Sequence, residues 1–386
     1  MIKTVALLCS FGLGVCFSLL GAISVKLMPR LKIDQARFGT LVTGFMSACL
    51  VASLLMGVVT DRAGHKPVAV FGFALAAVCI FLLARSKSFA TVFASCLLLG
   101  FGAMALNTTA NTLIPKVLFG GEEPARALNL GNVAFGVGLL LAPLVMSWLF
   151  RKTSYENTVS AIALVIAVPV VLAALAVYPS QGGAAFEFAK AVSLLTEPAV
   201  LVAGLALFCY SALDVSFSNW LPAFGKAVLA VSRPHADPDA ADASAQRLIS
   251  LYAVALIVGR FAASQVPALE KYGYWFMAAA SLAVAALIIW MAWTRRAAVA
   301  WLLVLLVGLL TAPFFALILS ITFAKFPKEL GGSVFGIIFA GALLGGATVP
   351  KAIGNLAKGS SIQKSMILLA PLCVLLAVVA LVLGMF

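Results

Sequence analysis

Twelve apolar stretches, each about as long as a helix needs to cross the hydrocarbon core of a membrane, follow one another along this 386-residue chain. They cover roughly 4–27, 39–59, 67–84, 90–113, 127–150, 157–178, 199–224, 247–266, 275–293, 298–323, 331–354 and 365–385. A segment of that length in lipid must satisfy its own backbone, and only a helix does so within one segment. No water-soluble fold absorbs such a pattern, because 63% of the residues are hydrophobic, 10% are charged and the mean hydropathy is +1.14. The class implied is an all-α polytopic membrane protein with twelve transmembrane helices and no separate soluble domain. The first stretch carries Gly12, Gly14, Ser18 and Gly21, runs too long for a signal core and lacks a small-residue cleavage pattern, so it reads as a retained helix.

The most polar connection near the midpoint is 179–198, with Glu187, Lys190 and Glu197. It divides the chain into a six-helix bundle over 1–178, a central cytoplasmic linker over 179–198 and a second six-helix bundle over 199–386. The second half echoes the first: Gly259-Arg260 precedes Leu269-Glu270-Lys271-Tyr272-Gly273, a worn counterpart of Asp61-Arg62-Ala63-Gly64. Repeated six-helix halves, pseudo-symmetric with each other, are the architecture of rocking transporters, whose solute site is expected near the midplane between the halves. The Ala-, Asp- and Pro-rich stretch 231–247 reads as a surface loop.

Several function classes are excluded by what the chain lacks. All seven cysteines fall inside apolar stretches without paired spacing and read as small packing residues. The two histidines, His65 and His235, are expected in loops on opposite sides of the membrane, so neither a metal site nor histidine catalysis is expected. No nucleophile stands near a base and no phosphate-binding G-x-x-x-x-G-K-[ST] loop occurs, so the chain is expected to be neither an enzyme nor directly ATP-driven. No cofactor and no nucleic-acid partner are expected; the expected partners are a small-molecule substrate, the lipid bilayer and protons, with the protein a monomer.

Between the second and third stretches lies Gly57-Val58-Val59-Thr60-Asp61-Arg62-Ala63-Gly64-His65-Lys66. A glycine at the end of a span lets a neighbouring helix come close, and Asp61 is placed to meet that neighbour's positive N-terminus. The string resembles the loop 2-3 signature of the major facilitator superfamily, G-x-x-x-D-R-x-G-x-K. The resemblance implies the major facilitator fold and a gating role for Gly57, Asp61, Arg62 and Gly64. Further along stand Gly100-Phe101-Gly102, Asn107-Thr108-Thr109-Ala110-Asn111, Arg126-Ala127-Leu128-Asn129-Leu130, Gly136-Val137-Gly138, Ala142-Pro143, Gly259-Arg260, Gly345-Gly346, Pro350 and Gly354. Together they look like the fucose permease branch, the sugar:proton symporters. That likeness implies a multi-pass protein of the bacterial inner membrane with the D-R-x-G loop and the N-terminus in the cytoplasm. The charge count pulls the other way, since only Lys3, Arg62, Lys66, Lys116, Arg126, Lys190, Lys271, Lys325 and Lys328 of the 26 Lys and Arg would then face inward. An outward basic surface would either draw anions to the mouth or meet lipid headgroups.

The departures from the branch bear on mechanism. Its glutamate in the fourth span is Asn107 here, and its aspartate in the first falls near Gly21, where no acid exists. The acid left deep in a span is Asp214, within Tyr210-Ser211-Ala212-Leu213-Asp214-Val215-Ser216-Phe217-Ser218-Asn219-Trp220, which resembles the branch's Y-x-G-x-E and later W. An intramembrane carboxylate costs about 2.5–3.5 kcal/mol to insert and marks a candidate site, here for proton coupling. Arg260 either pairs with Asp214 as scaffold or grips an anion, and Lys351 either snorkels outward or lines a cavity. Asn107 and Asn111, four apart on one helix face, offer the donors and acceptors a polyhydroxylated solute requires; equally, they could join helices. Asn107, Asn111, Asp214, Asn219, Trp220, Arg260 and Lys351 are therefore the candidate substrate contacts. Two solute classes stay open, a neutral sugar or polyol and a small organic anion, and so do two modes, proton symport and uncoupled facilitation. Multidrug export is disfavoured, because Ala94-Ser95-Cys96-Leu97 and Ala142-Pro143-Leu144-Val145-Met146-Ser147 replace the arginine and the G-P-x-x-G-G run of drug exporters.

Overall fold

The computed structural model describes the backbone of residues 1–179, 188–232, 238–267 and 269–386, and the side chains of these except 188, 238–246 and 270. Residues 180–187 of the expected linker and 233–237 of the 231–247 stretch, His235 included, therefore lie outside the described residues; the rest of the stretch expected as a surface loop is helical, closing α8 and opening α9. The helices are α1 (Ile2–Leu31), α2 (Gln35–Ala63), α3 (His65–Arg85), α4 (Phe89–Val117), α5 (Pro124–Leu149), α6 (Tyr155–Leu175) and α7 (Phe188–Ser193). They continue with α8 (Pro198–Ser232), α9 (Pro238–Ala263), α10 (Gly273–Trp293), α11 (Ala297–Thr311), α12 (Phe314–Phe323), α13 (Gly331–Leu356), α14 (Ile362–Ser365) and α15 (Leu369–Met385). Among the described residues, eleven helical stretches are long and apolar enough to cross a membrane. The remaining expected span, 247–266, overlaps the C-terminal part of α9, which ends at Ala263.

Most helices outrun the apolar cores that predict them: α1 reaches Leu31 and α8 reaches Ser232. Polar residues at a span's end still close backbone bonds, so hydropathy marks the hydrocarbon crossing rather than the helix terminus. The ends have local causes. Asp34 caps α2 by accepting from the Arg37 amide at 2.9 Å, and Ser154 caps α6 by accepting from the Asn157 amide at 3.2 Å. Gly64 alone separates α2 from α3 at φ 89°, a conformation that costs a side-chain-bearing residue energy. His65 is thus the first residue of α3 rather than a loop residue, and its buried Nε2 lies 3.1 Å from the Thr112 hydroxyl.

The expected tenth span is interrupted. Its first part ends at Thr311 and a new helix starts at Phe314, because Pro313 has no amide hydrogen to offer and its ring conflicts with the carbonyl one turn back.

The chain divides into two compact units, Met1–Leu195 with Phe326–Ile337, and Thr196–Lys325 with Ile338–Phe386. In the first, α1 packs along α5, α2 and α3 along α4, and α3 along α6. The α1–α5 contact is backbone on backbone: a Cβ at Gly14 would strike the Phe135 carbonyl, and one at Gly138 would strike that of Phe11. Lipid offers helices no hydrophobic reason to associate, so such close packing of small residues holds them together. In the second unit, α8, α9, α11 and α15 enclose a core that includes Phe217, Leu221, Phe224, Tyr252, Val304 and Ile353. All seven cysteines are buried and free.

Candidate functional site

In the first unit the motif residues form a joint between α2 and the start of α13. The Asp61 carboxylate accepts from the Gly332 amide at 2.7 Å through Oδ1 and from the Ser333 amide at 2.6 Å through Oδ2. These are the otherwise unpaired N–H groups of a helix N-terminus, where a negative charge is stabilised by hydrogen bonding and by the helix dipole. Glycines let the backbones meet: a Cβ at Gly57 would collide with the Gly332 carbonyl, and one at Gly336 with that of Ser53. The neighbour anticipated for Asp61 is thus α13. Arg62 is exposed, and Lys116 Nζ donates to the Lys328 carbonyl at 3.4 Å.

Deeper in the same unit, Asn107 and Asn111 are both buried on α4 and bonded to each other. Asn111 Nδ2 donates to Asn107 Oδ1 at 2.8 Å and to the Asn107 backbone carbonyl at 3.0 Å. Thr108 and Thr109 on the same helix and Asn129 and Asn132 on α5 are also buried. Asn129 Nδ2 returns to the Ala125 carbonyl at 2.9 Å, whereas Asn129 Oδ1, Asn132 Nδ2 and the two threonine hydroxyls make no hydrogen bond among the described residues. Buried polar groups are ordinarily paired, so this amide belt has capacity to spare.

In the second unit Asp214 and Arg260 share one network without forming a direct ion pair among the described residues. Asp214 Oδ1 accepts from the Tyr252 hydroxyl at 2.9 Å. Arg260, buried to 7% exposure, donates through Nη2 to the Tyr210 hydroxyl at 3.0 Å and through Nε to the Ala312 carbonyl at 3.4 Å. Arg260 is thus held by a tyrosine and a backbone carbonyl rather than by Asp214. Its cation sits at the negative C-terminal end of α11, where Pro313 interrupts the ladder, and tyrosines stand where a salt bridge was anticipated. Tyr210 is flanked by Phe314 and Phe315, with ring centroids 6.4 and 6.2 Å away.

The other candidates on this unit lie apart from that network. Trp220, half-buried, donates from Nε1 to the Pro350 carbonyl at 3.0 Å and lays its ring against Gly354. That bond ties α8 to α13 beside Lys351, which is exposed, as is Asn219. Tyr252 escaped the sequence reading because it stands alone in an apolar run, whereas Thr311 reads there as packing, at helical spacing with Phe314, Phe315 and Ile318. One signal was present for Tyr252: it precedes Arg260 by eight residues, which puts both on one helix face.

The model of the Major Facilitator Superfamily matches residues 6–350. The chain belongs to that superfamily. Its architecture agrees with two structures of the Escherichia coli fucose:proton symporter FucP, at TM-scores of 0.76 and 0.78, both 18% identical, covering 98% and 99% of each chain. The human organic anion transporter MFSD10 (TETRAN) is similar at TM-score 0.73 and 17% identity, with 98% of each chain covered. By sequence the chain is similar to the Staphylococcus aureus "Putative proline/betaine transporter", 25% identical over 126 residues, 32% of this chain. The match spans 27% of that relative's length. The superfamily comprises transporters rather than enzymes, in keeping with a multi-pass helical membrane protein.

Proposed function

We propose that this chain is a secondary transporter that moves a small polar neutral solute, a sugar or polyol, by alternating access, with Asp214 coupling transport to protons. The observation that carries the reading is the state of the buried cation: Arg260 is engaged by Tyr210 and the Ala312 carbonyl and lies in the field of Asp214. A guanidinium so committed is poorly placed to grip a second anion, whereas the Asn107–Asn111 pair and its unsatisfied neighbours on α4 and α5 suit hydroxyls. Asn219, Trp220 and Lys351 remain candidate contacts, and the Asp61 joint is the candidate gate. The fucose:proton symporter FucP shares the fold and lends this reading its solute class. We place the protein in the bacterial inner membrane as a monomer, with the Asp61 loop in the cytoplasm.

Thermal-shift screening of the purified protein against sugars, polyols and carboxylates tests the solute class, since a bound ligand stabilises in proportion to the logarithm of its concentration over Kd. Sugars or polyols should raise the melting temperature, and Asn111→Ala should raise KM about tenfold by removing an amide offered to the solute hydroxyls, while Lys351→Gln leaves it unchanged. The second reading, a small organic anion carrier, is favoured by exposed Lys351 and by the fold shared with MFSD10. It would replace the first if only carboxylates stabilised the protein and Lys351→Gln abolished their transport. For coupling, Asp214→Asn should lose pH-driven accumulation yet keep exchange at equal solute concentrations. Accumulation that survives in that variant would leave Asp214 a structural partner of Arg260.

A further inference from the structure

We propose that Tyr252 and Thr311 are positioning residues that carry the proton occupancy of Asp214 to the break in the tenth span at Pro313. The inference rests on the reading of Asp214 as a proton carrier and adds how the proton is sensed. The Tyr252 ring is 1% exposed and stacked on Phe217 with centroids 5.4 Å apart, so only its O–H torsion is free to turn. That O–H donates to Asp214 Oδ1. The Thr311 hydroxyl lies near the same phenol, one turn after Gly308, which abuts the Tyr252 ring; its own hydrogen goes to the Val307 carbonyl at 2.8 Å, leaving its oxygen able to accept. The titratable groups facing Asp214 are Arg260 and Tyr252 from α9 and Tyr210 from its own helix. Helices α11, α12 and α15 carry no Asp, Glu, Lys, Arg or His, and Lys351 of α13 and Lys364 of α14 are exposed.

An ionised Asp214 has no hydrogen to give, so the phenol must donate to it. When one proton from bulk water binds the carboxylate, the new O–H donates to the Tyr252 oxygen and the phenol O–H turns to Thr311 Oγ1. No other bond is made or broken, every donor keeps an acceptor, and the relay runs in reverse. Its new end is the last residue of α11, next to Ala312, whose carbonyl Arg260 holds, and Pro313, which offers no amide. A helix bends where its ladder is interrupted. Contact with α9 there is tight, since a Cβ at Gly308 would come within 2.7 Å of Ala255 and 3.2 Å of the Tyr252 ring. Protonation of Asp214 is thereby felt at the hinge, and a hinge variant lacking the Thr311 hydroxyl strands a buried phenol hydrogen.

Infrared difference spectroscopy of the purified protein in lipid nanodiscs, with protons as the only ligand, reads this directly. The Asp214 carboxylic C=O band is the one missing from Asp214→Asn. Tyr252→Phe keeps the stacked ring and should displace that band's titration midpoint by about one pH unit, a tenfold change in proton affinity. Thr311→Val should also displace it, and Thr311→Ser should restore the wild-type profile, so the threonine pair carries the test should Tyr252→Phe fold poorly. Hydrogen exchange of the 308–316 amides, corrected for intrinsic rate, should change across the same titration in the wild type and stay constant in Tyr252→Phe and Thr311→Val. Wild-type midpoints and a wild-type exchange response in both variants would overturn the relay while leaving Asp214 a proton carrier. If Asp214→Asn lost no band at any pH, the relay and the coupling reading would both fall.

Discussion

Replacing Asp61 with asparagine should loosen the α2–α13 joint by a calculable amount. The carboxylate receives two backbone amides, Gly332 at 2.7 Å and Ser333 at 2.6 Å, each a charge-assisted bond worth about 1.5–3 kcal/mol. Asparagine keeps one acceptor and turns its NH2 toward the other amide, so one bond is lost. The favourable term of a negative charge at a helix N-terminus, about 0.3–1 kcal/mol, is lost as well. A net cost of about 2 kcal/mol raises the open population of the joint ~30-fold. Ser53 reports on that opening, because it is wholly buried and its carbonyl touches Gly336 of α13. In a background without native cysteines, Ser53→Cys should be modified by a small thiol reagent ~30-fold faster when Asp61→Asn is added, provided reclosing outpaces modification. A rate increase below about threefold would refute the claim that these two bonds hold the joint.

Three further outcomes follow from the described geometry. Arg30 pairs with Glu156, lies 5.0 Å from the centre of the Tyr155 ring and donates to the Ser86 carbonyl at 3.3 Å, tying together the ends of α1, α3 and α6; because the pair is partly exposed, Glu156→Gln should cost about 1 kcal/mol and lower the melting temperature in detergent by about 1 °C. Gly138→Val should abolish the monodisperse peak in size-exclusion chromatography, since its Cβ meets the Phe11 carbonyl, whereas Gly21→Ala, with nothing within 4 Å, should elute as wild type. For orientation, a cysteine at Ala63 should be shielded from an impermeant thiol reagent in intact cells and one at Lys87, beyond the other end of α3, should be labelled; the reverse pattern would invert the protein in the membrane.

The fold was legible because its cause is local. Each apolar stretch is forced to be a helix by the absence of water for its backbone, whatever surrounds it. Helix α10 lies over Gly273–Trp293 against an expected 275–293 for that reason. The break at Pro313 is equally local in origin, yet hydropathy is blind to it, since proline interrupts hydrogen bonding without interrupting an apolar run. His65 went astray in the same way: a polar residue next to Gly64 suggests a loop, and only the proximity of Thr112 on another helix shows why it is buried.

Sequence by itself determined the class, the helices and the chemistry available in each, because composition and segment length act along the chain. It identified Asn107, Asn111, Asp214 and Arg260 as polar groups in lipid, each unusual enough to flag. Asn107 and Asn111 hold each other across one turn of α4, whereas what Asp61, Asp214 and Arg260 hold was decided by tertiary structure alone. Asp61 reaches Ser333 across 272 residues of chain, Tyr252 reaches Asp214 across 38, and Arg260 reaches the Ala312 carbonyl across 52. Hydrogen bonds act over about 3 Å and depend on direction. Such partners are fixed by how the helices pack side by side, and the spacing of residues along one helix carries no record of which neighbour will stand opposite.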